Sequence, residues 1–367
     1  MSGAEAPVSL PQPRDDLRAL DGYHSPQLDV AIRLNTNESP YPPPPEFVAA
    51  FAGAVRDVAF HRYPDRAARA LRSALAEFVE QPSERIFCAN GSNEVLQTLL
   101  LTYAGAGRRA LVFEPTYALH AHIARVTGTT LVTGTRRPDY TVDPAGAAAL
   151  VAEVEPAVVF LCSPNNPTGT VEPAATIEAV LAAASAAGAL LVVDEAYGEF
   201  AAWSALELLG DDVPLVVVRT YSKVWSLAAV RLGFALAPAP IAAELEKVAL
   251  PYHLSVTTQL AGRLALDHRG AMLDRVSALV HERMRLEREL GSLGSITVFP
   301  SGANFVLFRV AGDAQRVWDA LVARGVLVRN FATWPGVEQC LRVSVGTPEE
   351  NDTFLAAIRA ALEEVRP

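Results

Sequence analysis

Apolar positions in the middle of the chain come in short unbroken runs rather than in helical stripes. The runs are Ala110 to Phe113, Thr129 to Val132, Ala157 to Cys162, Ala189 to Val193, Leu215 to Val218 and Gly233 to Leu236. They are short, rich in β-branched residues and bounded by turn formers, so they read as strands. Helical patterns fill most of the gaps, notably Pro173 to Ala187. A strand that is apolar at every position needs cover on both faces, so this alternation predicts a mostly parallel sheet between helices. Upstream, helical patterns run from Pro45 to about Val58, on to about Val79 after a turn at His61 to Asp65, and from Val95 to Tyr103. Beyond Pro238 helices dominate from Ile241 to Leu290, with a charged face at Glu282, Arg283, Arg285, Glu287 and Arg288. Strand-like Asn304 to Phe308, Val326 to Arg329 and Cys340 to Val345 follow, with helices near Ala314 to Arg324 and Pro348 to Glu364. The expected organisation is α/β: an arm over 1–33, a large domain over 34–240 and a smaller α+β domain over 241–367.

Polar residues gather where such a sheet binds ligands, beyond the carboxyl ends of its strands. Asn165 and Asn166 follow the strand ending at Cys162, Asp194 follows Val193, and Lys223 comes soon after Val218. Thr220 and Ser222 flank the lysine, and Arg231 follows eight residues later. Hydroxyls and a guanidinium make a phosphate site. A lysine beside one suggests a phosphorylated aldehyde cofactor held as a Schiff base. Composition sharpens this. Of 31 basic residues only Lys223 and Lys247 are lysines. Arginine cannot take the place of a primary amine, because it is never deprotonated in proteins. Lys247 lies in a helical pattern and reads as a solvated surface residue. The turn Asn90-Gly91-Ser92-Asn93 opens a helix, which suits an anion as well as an ordinary cap. Asp194 could pair with a pyridinium nitrogen and Tyr197 could donate to a ring oxygen. Taken singly, an aspartate after a strand is more often a cap, and Asn165 to Gly169 could be only a turn.

Half of the 367 residues are hydrophobic, enough for a sizeable core, and the length suggests two domains. A net charge of −10 offers no basic face for nucleic acid or an anionic membrane. Cys88, Cys162 and Cys340 are an odd number without paired spacing, which points to free thiols in a reducing cytoplasm and away from a disulfide scaffold or a zinc site. No apolar signal core is expected in Met1 to Asp16, and no membrane span anywhere.

Together these motifs resemble the fold-type I pyridoxal-phosphate aminotransferases, and within them the histidinol-phosphate aminotransferase family. The matching stretches are LNTNESPYPPPP, HRYPD, ANGSNE, EPTY, CSPNNPTG, VVDEAYGEF, RTYSK with the later RLG, PSGANFVLFR, VRN and LRVSVGTPEEN, from about residue 22 to 353. The resemblance implies a seven-stranded type of sheet in the large domain and pyridoxal 5'-phosphate on Lys223. It implies Asp194 at the ring nitrogen, Asn166 and Tyr197 at the ring oxygen, and Tyr117 stacked on the ring. Ser92, Asn93, Thr220, Ser222 and Arg231 would hold the phosphate. Tyr63 would reach the neighbouring subunit's phosphate, which implies a homodimer with shared sites. Arg329 and Arg342 would bind the substrate's anionic group, with Tyr23 and Asn37 nearby. The implied reaction is amino transfer from histidinol phosphate to 2-oxoglutarate. An aromatic or other amino-acid aminotransferase and a threonine-phosphate decarboxylase-like lyase are the alternatives. A transcriptional regulator with an aminotransferase-like domain is disfavoured, because the matched region starts early. The chain departs from the family pattern at Trp225 to Ala229, usually glycine-rich, at Asn93, often Asp, and at Phe331 to Trp334.

Overall fold

The computed structural model describes residues 10–18, 20, 22 and 27–365. Among them are twelve strands: β1 (Ile32–Leu34), β2 (Ile86–Ala89), β3 (Arg109–Glu114), β4 (Thr130–Thr135), β5 (Val158–Cys162), β6 (Leu190–Asp194), β7 (Leu215–Thr220), β8 (Gly233–Leu236), β9 (Ile296–Val298), β10 (Phe305–Val310), β11 (Val326–Asn330) and β12 (Cys340–Ser344). Seven form the first sheet, in the order β2-β8-β7-β6-β5-β3-β4. Each of the six apolar runs becomes one of its strands. The seventh is β2, a four-residue strand that the hydrophobic pattern does not single out. It pairs antiparallel with β8, and β8 pairs antiparallel with β7, while the remaining neighbours are parallel.

Alternation along each strand feeds two cores. Leu191, Val193, Leu215 and Val217 point into one apolar cluster. Leu190, Val192, Val216 and Val218 point into another on the opposite face. Successive strand residues face opposite ways, so an all-apolar strand demands helices on both sides. Helices Ser92–Tyr103 and Ala118–Val126 bury residues in the second cluster, and Pro144–Val154 and Ala174–Ala186 in the first.

The second sheet has five strands in the order β1-β11-β12-β10-β9. β1 joins it in parallel, Ile32 beside Val326 and Leu34 beside Val328. A strand from near the start of the chain thus lies in the sheet built from its end. The helical region after Pro238 resolves into three helices, Ala239–Val248, Val256–Asp267 and Arg269–Gly291. The last helix, Pro348–Glu364, opens with a capping box in which Thr347 and Glu350 satisfy each other's backbone N–H.

Candidate active site

A cavity of about 380 Å³ opens at the carboxyl ends of β2, β3, β5, β6 and β7, facing the second sheet. It is lined by Lys223, Asp194, Tyr197, Asn166, Tyr117, Ser92, Asn93, Thr220, Ser222, Arg231, Asn37, Arg329 and Arg342. Two expected residues are not on its wall. Tyr63 is 80% exposed and stacks on Tyr252 at 4.6 Å, outside this cavity. Tyr23 lies outside the described residues.

Lys223 stands on the turn after β7, and its Nζ donates to the Thr36 carbonyl at 3.0 Å. Burial pushes its amine down to about 8, helped by the cations Arg342 and Arg231 and opposed by Glu38 and Asp194. A neutral amine is a nucleophile; an ammonium is not. Asp194 ends β6 and is 1% exposed. Its Oδ1 accepts the Ala196 backbone N–H at 3.0 Å, and its Oδ2 lies 3.0 Å from His120 Nε2. His120 is buried, lies flat on Phe160 at 4.8 Å and meets Tyr117 edge-on at 5.5 Å. Sequence reasoning missed His120. Its signal was its place one helical turn after Tyr117, in a helix whose other histidine, His122, faces outward more.

The next residue, Glu195, was also missed. It takes Arg219 Nη2 at 2.8 Å, Ser204 Oγ at 2.7 Å and the Ala205 N–H at 2.6 Å. Arg219 immediately precedes Thr220, so this buried ion pair clamps the end of β6 to the end of β7. The two ends carry Asp194 and the Thr220–Lys223 turn.

One end of the cavity suits a phosphate. Gly91 has φ 83°, and a Cβ there would come 2.5 Å from Arg231 Nη2. Bare backbone therefore lets the guanidinium lie over the start of helix Ser92–Tyr103, where unpaired N–H groups favour an anion. Arg231 is itself left-handed (φ 57°), and its Nη1 donates to Ser222 Oγ at 3.3 Å. Thr220 Oγ1 donates to the same hydroxyl at 3.0 Å.

At the other end stand the arginines. Arg329 and Arg342 are paired residues on antiparallel β11 and β12, and both are buried. Arg342 Nη1 donates to Asn166 Oδ1, and its Nη2 donates to the Asn35 carbonyl at 2.9 Å. Asn37 Nδ2 donates to the Tyr197 hydroxyl at 2.9 Å. The tyrosine can still donate its own proton, and burial raises its phenol well above the ordinary value. Asn166 can likewise accept from Arg342 and donate to a ligand oxygen at once.

Hydroxyls and a guanidinium at a helix start, a buried amine near pH 8, a buried carboxylate and a tyrosine ring between them match a phosphorylated pyridine aldehyde in size and donor set. Comparison with known proteins agrees. A match to the family "Aminotransferase class I and II" spans residues 29–358. The histidinol-phosphate aminotransferase of Streptomyces avermitilis is 47% identical over 361 residues, 96% of this chain and 96% of that relative. That of Frankia casuarinae is 45% identical over 95% of this chain and 90% of its own length. The crystal structure of histidinol-phosphate aminotransferase from Sinorhizobium meliloti, in complex with pyridoxal-5'-phosphate, superposes with a TM-score of 0.87 at 26% identity, covering 98% of this chain and 99% of that one. An L-threonine-O-3-phosphate decarboxylase from Porphyromonas gingivalis shares the fold, with a TM-score of 0.79 at 20% identity over 90% of this chain and 99% of that one. The chain belongs to the class I and II aminotransferases and is a pyridoxal-phosphate-dependent enzyme of fold type I.

Proposed function

We propose that this enzyme moves the amino group of L-histidinol phosphate to 2-oxoglutarate, a step of histidine biosynthesis. The supporting observation is the facing pair Arg329 and Arg342 at the cavity wall, taken with relatives of that name at 42–47% identity. Histidinol phosphate has no α-carboxylate, so its phosphate is the only anion the pair can take. 2-Oxoglutarate brings a carboxylate to the same place in the other half-reaction. A planar guanidinium accepts both.

Pyridoxal phosphate, when bound, supplies the electron sink that makes a donor's Cα–H acidic. The protein does the rest. Ser92, Asn93, Thr220, Ser222 and Arg231 would hold the cofactor phosphate. Asp194 would pair with the ring nitrogen, its carboxylate fixed from behind by His120. Asn166 and Tyr197 would bond the ring oxygen, and Tyr117 would cover the ring. Lys223 would anchor the cofactor, and its amine Nζ would carry the proton of the donor's Cα. The Thr36 carbonyl is then in place to orient that Nζ.

The active unit in this proposal is a homodimer. Tyr63 and Tyr252 present a stacked, exposed aromatic pair, with exposed Phe60 and Leu250 close to them in sequence. Such a patch suits a second copy, whose cofactor phosphate Tyr63 would reach. We place the enzyme in the cytoplasm, since Cys88, Cys162 and Cys340 are all free and buried.

The test is an assay of purified enzyme and 2-oxoglutarate with L-histidinol phosphate, L-histidinol, aromatic amino acids and L-threonine phosphate in turn, following glutamate and carbon dioxide. The expected result is glutamate formation, with the phosphate ester preferred over L-histidinol. Equal rates with L-histidinol would defeat the reading and favour an aromatic donor. Carbon dioxide release from threonine phosphate would make the protein a lyase.

A further inference from the structure

The loop joining β11 to β12 carries two rings that the roles above leave unused. Phe331 is buried, whereas Trp334 keeps 37% of its surface exposed at the cavity wall. Their centroids lie 5.1 Å apart at 82°, edge to face. The Arg329 guanidinium sits 5.8 Å from the centre of each ring. The Arg342 guanidinium lies 5.0 Å from Phe305 and 5.5 Å from Phe331. Like charges directly opposite on neighbouring strands repel, and a long arginine side chain has rotamers that lead into water. The electron-rich ring faces oppose both tendencies.

The loop is held in place. The Trp334 backbone N–H donates to the Phe331 carbonyl at 2.9 Å, and the Val337 backbone N–H to the Trp334 carbonyl at 3.2 Å. Tyr140 donates to the Gly336 carbonyl at 3.2 Å. Gly336 (φ 82°) lies against Pro115, where a Cβ would come within 3.2 Å of the proline ring. Trp334 therefore stands on a turn docked to the segment that carries Tyr117.

We propose that Trp334 is a positioning residue that sets selectivity for a phosphorylated donor. It keeps Arg329 in the cavity beside Arg342, so that the pair holds a dianion more strongly than a single carboxylate. The inference rests on the histidinol-phosphate reading. A phosphate monoester carries about −1.5 to −2 charge near neutral pH and three acceptor oxygens, more than one carboxylate offers. A second guanidinium held in register is worth most to such a group. Without the indole face, Arg329 loses one of the surfaces that hold it in register, and the phosphate ester loses more than a neutral alcohol does.

The test compares native enzyme with Trp334→Ala, Trp334→Leu and Trp334→Phe, all loaded with cofactor. Steady-state constants are measured for L-histidinol phosphate and L-histidinol. Binding of L-histidinol phosphate is also measured by calorimetry on enzyme whose cofactor has been fixed by borohydride, which cannot turn over. In the alanine and leucine variants, KM and Kd for the phosphate ester should rise about 5- to 30-fold, the range of a partly desolvated cation–π contact. Turnover at saturation, cofactor absorbance and the constants for L-histidinol should stay within about twofold, and phenylalanine should restore most of the loss. The leucine variant keeps the apolar volume, so it separates loss of the ring face from loss of packing. A native enzyme that prefers the ester, with an unchanged preference in the leucine variant, would overturn this proposal alone. A native enzyme indifferent to the phosphate would overturn the substrate reading and this proposal with it.

Discussion

Burial governs what Lys223 can do. At pH 7 a lysine with the ordinary value near 10.5 has about one neutral amine in three thousand, while a value near 8 leaves about one in ten. The shift is downward, so the amine becomes a nucleophile above pH 8 and an ammonium below it. Cofactor capture by cofactor-free protein should therefore accelerate with pH, with its midpoint near pH 8 and a plateau above it. A stopped-flow titration of the absorbance change measures this directly, and a plateau only above pH 10 would show that the amine is solvated. Lys223→Arg should capture no cofactor covalently at any pH, because charge and reach do not replace an amine. This residue stood out in the sequence through the hydroxyls and the arginine around it, and through a composition that otherwise uses arginine. The role proposed for Asp194 was half legible. Its place after a strand was visible, but its partner His120 comes from a helix 74 residues earlier, and no local pattern joins the two.

At the scale of elements, glycines decide how closely the parts approach. Gly233 opens β8, and a Cβ there would fall 2.2 Å from Ser92 N and 2.4 Å from Gly91 C. Both are backbone atoms, so the start of helix Ser92–Tyr103 would have to move. Gly233→Ala should cost about 1–3 kcal/mol of stability through overpacking. It should also weaken pyridoxal phosphate binding by at least about tenfold, on the scale of one charge-assisted contact. Equilibrium binding by absorbance and thermal unfolding test the two parts separately, and native cofactor affinity would detach this helix from the phosphate site. The Glu195–Arg219 clamp works at the same scale, tying two neighbouring strand ends that each carry site residues. Its residues sit inside recognisable motifs, yet their pairing appears only when β6 and β7 lie side by side.

At the scale of the molecule, the cavity needs both sheets. The first supplies the cofactor end, the second supplies Arg329 and Arg342, and Asn35 to Asn37 thread between them. If Tyr63 completes the partner's site, the sites are also shared between chains. A heterodimer of one Lys223→Ala chain and one Tyr63→Phe chain should then contain one fully native site. Its cofactor affinity and turnover per active site should match native enzyme. Activity no higher than that of the Tyr63→Phe homodimer would return Tyr63 to its own subunit or remove it from the chemistry.

Six of the seven strands of the first sheet, their burial on both faces and the clustering of polar residues at their carboxyl ends follow from the chain's local pattern. Period and apolarity are properties of neighbouring residues, and the parallel arrangement they demand places the site. Other features needed the tertiary structure. β2 is too short to stand out and is defined by pairing with β8. β1 is recognisable only once β11, nearly 300 residues later, lies beside it. The contact of His120 with Asp194, the closeness of Gly91 to Arg231 and the reach of Arg342 to the Asn35 carbonyl arise between segments distant in the chain. Their energies depend on separation in space, and the order of residues sets that separation only through the fold as a whole.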